Sequence, residues 1–259
     1  MSAAFDFDFP ESKCVVGPGP SKVFRMLKYR PMRNAYFLLT FALLTAQAAD
    51  VVEITAEPHH HLILQNSLVR VFQVEIPAGD STLLHVHHHD YIAVHPGVTD
   101  ISNTVTGKPP VFVKQPVGET HFTAGNFTHV VRNNGAATFD SIDVELQQDQ
   151  GRKTPPQPWA EERGLEVLQG GTQDILFVKD GARASEIDLQ PGGMIPAQAH
   201  ASPHLFVAIT DVDLVSHAAG QPGKIDLKPG AVNWVEAGPT PALMNGSQAG
   251  AKFILLEFH

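Results

Sequence analysis

The sequence predicts an all-β chain made of two tandem copies of one barrel, and three observations predict it. Short runs of Val, Ile, Leu and Phe are broken every few residues by Gly, Pro, Asn or Asp, which is the punctuation of strands and tight turns. Helical periodicity is scarce, with only residues 161–163 and 165–170 reading as one short turn. The pattern of the first half then returns in the second, as a repeat of one supersecondary unit would. Together these favour a sandwich or barrel.

The chain begins with a segment unlike the rest. Residues 1–25 carry Phe5-Asp-Phe-Asp-Phe-Pro10 and a Gly/Pro cluster at 17–20, neither of which reads as a packed element. Met26-Leu-Lys-Tyr-Arg-Pro-Met-Arg33 then supplies a basic stretch, residues 35–45 an apolar one, and Ala46-Gln-Ala48 a small-residue cleavage site. That is the order of a secretory signal peptide, and the apolar run is too short to span a bilayer. Translation could equally start at Met26 or Met32. A buried N-terminal helix is the competing reading, but it would not require those three parts in that order. The expected division is 1–48 N-terminal extension and signal peptide, 49–147 first barrel, 148–164 Pro-rich linker, and 165–259 second barrel. Export to the periplasm or medium follows, with no membrane attachment after cleavage.

Cleavage after Ala48 would leave 211 residues, 259 less 48, without Cys14, the only cysteine. Such a chain must be held by its core rather than by disulfides. It keeps 12 basic against 24 acidic residues, a formal charge of −12, and all 14 histidines. An acidic surface argues against nucleic acid and anionic membrane as partners. A small molecule is the expected ligand, and a second copy of the chain is the candidate protein partner.

Strands are expected at Val69–Ile76, Tyr91–Val94, 111–113, Phe139–Leu146, 175–178, 205–209 and 253–258. The segment Gly79-Asp-Ser-Thr-Leu-Leu-His85-Val-His87 stands out within this frame. Side chains two apart on a strand share a face, so His85 and His87 form half of a metal site. His129, in Phe127-Thr-His129-Val-Val-Arg-Asn133, is the best third ligand. Three neutral imidazoles suit Fe, Zn, Mn, Ni or Cu and leave positions open for substrate. His59-His60-His61 reads as an exposed tract, while His88 and Asp90 face away from the pair. His89 would share the ligand face if its strand ran on straight, and His121 precedes the third ligand.

At these residues the chain resembles the cupin superfamily. The first cupin motif, Gly, five residues, His-x-His, then Glu, is met by Gly79, His85 and His87, with Tyr91 or Ile92 in the Glu slot. The second motif is met by Gly118, His129 and Asn133, with Ala124 in its Pro slot and Asn126 in its second Gly slot. Asn tolerates a left-handed backbone best among non-glycine residues, so that replacement is mild. The resemblance implies double-stranded β-helix (jelly-roll) barrels and one divalent metal on His85, His87 and His129. Tyr91, in the Glu slot, is the catalytic candidate, as a ligand or as a donor to substrate.

In the second copy Gln198 stands for His85, His200 for His87 and His204 for Tyr91. Aligning Gly223 with Gly118 puts Trp234 in the third-histidine slot and Gly238 in the asparagine slot, so the second pocket reads as plugged. Gln198, His200 and His204 then make at most a weak set, since an amide is a poor ligand for transition ions. Cupins with related sites include dioxygenases, isomerases and decarboxylases. An all-imidazole site keeps the ion's full charge, which favours an anionic chelating substrate and dioxygenase-like chemistry. A non-catalytic barrel that binds a small ligand such as a sugar, or a structural role, is the alternative.

Overall fold

The computed structural model describes residues 50–147, 164–216 and 223–258, and among these it is built almost entirely of strands. The expected leader and the centre of the expected linker lie outside the described residues. The first half contains β1 (Val52–Glu53), β2 (His60–Gln65), β3 (Val69–Ile76), β4 (His85–His87), β5 (Tyr91–Val94), β6 (Thr99–Val105), β7 (Val111–Gln115), β8 (Thr120–Thr123), β9 (Phe127–Asn133) and β10 (Phe139–Leu146). They form two five-stranded sheets, β1-β4-β9-β6-β7 and β2-β3-β10-β5-β8. Phe72, Val74 and Ile76 of one sheet and Ile101 and Val131 of the other share a core between them.

The second half repeats this order with β11 (Gly164–Lys179), β12 (Ala182–Ile195), β13 (Gln198–Ala201), β14 (His204–Ala208), β15 (Val212–Ser216), β16 (Lys224–Leu227), β17 (Val232–Val235), β18 (Gly238–Thr240), β19 (Leu243–Asn245) and β20 (Ala251–Phe258). Here β12 is long enough to pair with β20 along its first part and with β19 at its end, which joins eight strands in one sheet and leaves β13 and β18 as a separate pair. Residues 165–170, expected as a helical turn, instead belong to β11, and residues 161–163 lie outside the described residues. Pairing with the 14-residue strand β12 overrides the weak local helical pattern.

The two copies are locked by equivalent surfaces. Val69, Val71, Ile92, Val94, Ile142, Val144 and Leu146 meet Ala182, Ala184, Leu205, Val207, Ile254, Leu256 and Phe258 in one cluster. Each residue has its counterpart at the same register, as Leu146 opposite Val69 matches Phe258 opposite Ala182. This explains why β5, β10, β14 and β20 bury almost every residue: one face fills a barrel and the other fills the join.

Turn chemistry fixes the register of the repeat and corrects the sequence reading of it. Gly118 takes φ +87° and bonds its amide to the His95 carbonyl, and Gly230 takes φ +80° and bonds to the Ala208 carbonyl. Gly230, not Gly223, is therefore the counterpart of Gly118. Asn133 Nδ2 donates to the carbonyls of Ile76 and Ala137, and Asn245 Nδ2 donates to those of Leu189, Gln190 and Ala249. Asn245, not Gly238, is thus the partner of Asn133. Counting back four residues from each asparagine places Pro241 where the first copy has His129. Trp234 lies on β17 and packs into the join, stacked on Phe258 at 5.5 Å, so it does not plug the second barrel.

Deleting methylenes at this join leaves cavities, so Ile142→Ala and Ile254→Ala, at 1% and 0% exposure, should each lower unfolding free energy by about 2–5 kcal/mol. Urea denaturation checks this, and a loss under about 1 kcal/mol at both would show the join to be loosely packed.

Candidate metal centre

The strand pairing of β4 and β9 sets His85 directly opposite His129, and the period of two puts His87 on the same face. All three rings are buried, at 0%, 0% and 3% exposure. His85 Nε2 lies 3.2 Å from His87 Nε2 and 3.0 Å from His129 Nε2. Asn126 takes the left-handed conformation, φ +61°, and its amide bonds the His87 carbonyl at 2.7 Å, pinning the turn into β9. Gly125 must be glycine there, because a Cβ would stand 2.4 Å from the His89 backbone.

The tautomers follow from what each ring's other nitrogen meets. His85 Nδ1 faces the Leu83 carbonyl at 2.9 Å and His129 Nδ1 faces Asn103 Oδ1 at 3.0 Å; both partners accept, so both Nδ1 atoms carry the proton. Their Nε2 lone pairs then point at one another across 3.0 Å. Two bare lone pairs repel unless a cation joins them. Protonation is disfavoured: burial and neighbouring His60 pull His85 down to about 4, and burial with the other three imidazoles pulls His129 down to about 2. Two nitrogens bound to one ion at about 2.1 Å, between 90° and tetrahedral angles, lie about 3.0–3.4 Å apart. The donor set therefore fits a divalent transition ion.

His60 was the residue that sequence reasoning missed. Expected in an exposed tract, it is buried, with its ring 4.7 Å from that of His85, and His60, His85 and His87 form a group able to hold a metal ion. Glu57, three residues earlier, takes His60 Nδ1 at 2.6 Å and also accepts the amides of His59 and Leu83. Burial would raise Glu57, but these bonds outweigh it and hold the carboxyl at about 2. A carboxylate fixing the far nitrogen of an imidazole is the usual support of a metal-binding histidine. The spacing Glu57-x-x-His60 was the available signal.

A second buried carboxylate backs His87. Glu145 Oε1 stands 3.7 Å from His87 Nδ1, and both atoms lack a hydrogen-bond partner. Arg70 clamps the other oxygen through Nε at 2.9 Å and Nη2 at 2.5 Å. Burial pushes Glu145 up, yet His87 and Arg70 prevail and keep it below the usual carboxylate range. The second copy repeats the clamp as Arg183 and Glu257.

Tyr91 stacks on the His87 ring at 4.5 Å and lines the adjoining cavity. Burial and the nearby Asp143 push its phenol far above the usual range, so it stays a neutral phenol. His89 does not share the ligand face, since β4 ends at His87. His88 meets Glu53 at 3.1 Å, and Asp90 accepts the Gly125 amide at 2.7 Å. His121 lines the cavity rather than joining the cluster.

That cavity, of about 180 Å3, runs from His60 and His129 past Tyr91 to His95 and His121. In the second copy the corresponding space is about 30 Å3, room for little more than one water. Pro241 and Leu243 line it, His204 turns its Nδ1 to the Ser202 carbonyl at 2.8 Å, and Gln198 and His200 are exposed. No second group of three metal-binding side chains occurs among the described residues.

Replacing His60 or His129 by Ala should cut metal content several-fold in elemental analysis, while His200→Ala should leave it unchanged; equal behaviour of all three would dismiss this ligand set. The chelator-treated protein should lose stability as pH falls. His85, His95 and His129 all have folded pKa values below the free imidazole value of 6.5, so the unfolded chain takes up protons first. Stability is complete above about 6.5 and declines as pH drops through about 4. A urea midpoint constant from pH 7 to 4.5 would contradict the burial of these rings in neutral form.

No protein-family model and no curated protein matches the sequence. Solved structures do match in fold. Oxalate decarboxylase from Lactobacillus farciminis aligns with a TM-score of 0.56 and 12% identity over 75% of this chain and 78% of its own. Salicylate 1,2-dioxygenase from Pseudoaminobacter salicylatoxidans gives 0.53 and 11% over 74% and 68%, and AerE from Microcystis aeruginosa gives 0.53 and 12% over 78% and 98%. The first two are bicupins. With two sets of barrel-forming sheets in one chain and the two histidine-bearing motifs of the first copy, this protein has the bicupin fold.

Proposed function

We propose that the protein is a metal-dependent enzyme acting on a small anionic chelating substrate, with dioxygenase-like chemistry in its first barrel. The observation that carries this reading is that His85 Nε2 meets His87 Nε2 at 3.2 Å and His129 Nε2 at 3.0 Å, with His60 joining His85 and His87 in a group able to hold a metal ion beside a cavity. A divalent ion held at this cluster, by His85 with His60, His87 and His129 around it, would act as a Lewis acid with open positions for a bidentate oxygen ligand. The chain's own residues do the rest. Tyr91 stays protonated and can donate to a substrate oxygen, and Glu57 and Glu145 with Arg70 orient the rings of His60 and His87. Ile101, Val113 and Val131 exclude bulk water from the cavity wall.

Structural neighbours support a small carboxylate as substrate class, since the oxalate decarboxylase is a formate complex and the salicylate 1,2-dioxygenase carries gentisate. Iron and manganese are the metals this reading favours. The basic, apolar and small-residue series ending at Ala48 supports export to the periplasm or medium, and residues 148–164 act as the linker between the two copies. The second copy serves packing, within the chain or in a homodimer. A non-catalytic small-ligand carrier is the second reading, favoured by the absence of a carboxylate ligand at Tyr91 and Ile92.

Oxygen uptake by metal-loaded protein with a panel of diketones, hydroxybenzoates and thiols tests the choice. Turnover that falls at least about 100-fold in His129→Ala is expected. Tight metal with no turnover across the panel would leave the carrier reading.

A further inference from the structure

The far end of the cavity carries polar groups that the metal centre does not use. Beyond Tyr91, the same strand face continues through Ala93 to His95, four residues on and about 13 Å away at the usual strand rise. There the rings of His95 and His121 face each other with centroids 5.3 Å apart. His95 is 4% exposed, and His95 Nδ1, His121 Nδ1 and Gln115 Oε1 are all buried without a hydrogen-bond partner while their residues line the cavity. Asp143, held by the Ser141 hydroxyl at 2.6 Å, lines it too.

The second copy supplies an internal control. Register matches Ala93, His95, Ser141 and Asp143 with Phe206, Ala208, Phe253 and Leu255. Those four belong to one apolar core cluster, so the same scaffold closes this space when it has no ligand to hold. Keeping it open and lined with unpartnered polar atoms works against stability, and a ligand is the group that would satisfy them.

We infer that His95, His121 and Gln115 form a recognition site for a hydroxyl group at the end of the substrate opposite its chelating group, so that the protein takes a small hydroxylated acid or diketone. This rests on the metal-chelating reading for the other end of that molecule. The chemistry selects the group. No Lys or Arg lines the cavity, burial pulls His95 down to about 4, and Asp143 would repel a second carboxylate placed there. An apolar end would leave three polar atoms unsatisfied. An ammonium only donates, whereas a hydroxyl donates and accepts and thus satisfies Gln115 Oε1 and either imidazole tautomer.

The test compares ligands that share a chelating head: 2-oxobutanoate, 4-hydroxy-2-oxobutanoate and 4-amino-2-oxobutanoate, titrated calorimetrically into metal-loaded protein. The hydroxylated compound should bind about tenfold more tightly than the other two, and the preference should vanish in His95→Ala and in His121→Asn, the residue the second copy carries there, with metal content unchanged. Equal affinity for all three, preference for the amine, or a preference retained in both variants would overturn the assignment. Histidine-15N spectra of chelator-treated protein separate this from the metal reading. Shifts at His95 and His121 with the hydroxy compound alone are expected whether or not His129→Ala abolishes metal uptake, and their absence would count against the site.

Discussion

The first barrel depends on a repulsion that its fold refuses to relieve. His85 and His129 each spend one ring nitrogen on a fixed acceptor, the Leu83 carbonyl and the Asn103 amide oxygen, and are left with lone pairs aimed at each other across 3.0 Å. Burial keeps protons from settling the conflict. A shared cation does settle it, so the barrel has traded apo stability for a preorganised site. Glu57 and the Arg70–Glu145 pair extend the same logic outward by fixing His60 and backing His87.

Internal duplication shows which features serve the fold and which serve the site. Equivalent apolar residues in both halves make the join, and the Arg–Glu clamp, the positive-φ glycines and the asparagine that ties the last turn recur in both. These belong to the scaffold. The imidazole cluster and the polar cavity occur in the first copy alone among the described residues, where the second has Pro241, Phe206, Phe253 and Leu255. Conserving Arg183 and Glu257 where no imidazole cluster remains indicates that the clamp also serves packing.

Much of this was legible in the sequence where one physical signal acted alone. Alternation and turn residues marked Val69–Ile76, Tyr91–Val94 and Phe139–Leu146 to the residue, and the spacing around His85, His87 and His129 brought three rings together. Register in the second copy was lost because spacing alone matched Gly223 and Trp234, whereas backbone conformation at Gly230 and the amide bonds of Asn245 set it. His60 was hidden by its neighbours, since a run of three histidines reads as a solvated tract until strand pairing buries the middle one. His121 stood out only by its place before the third ligand and His95 gave no signal, because the two residues meet only through the pairing of β5 with β8.

The central claim is that one ion sits among imidazoles alone. X-ray absorption at the edge of whichever metal the purified protein retains measures this directly. The expected spectrum is a shell of nitrogen and oxygen neighbours at about 2.0–2.1 Å with the multiple-scattering signature of three to four imidazoles. A spectrum dominated by carboxylate or water oxygens, with one imidazole or none, would contradict it.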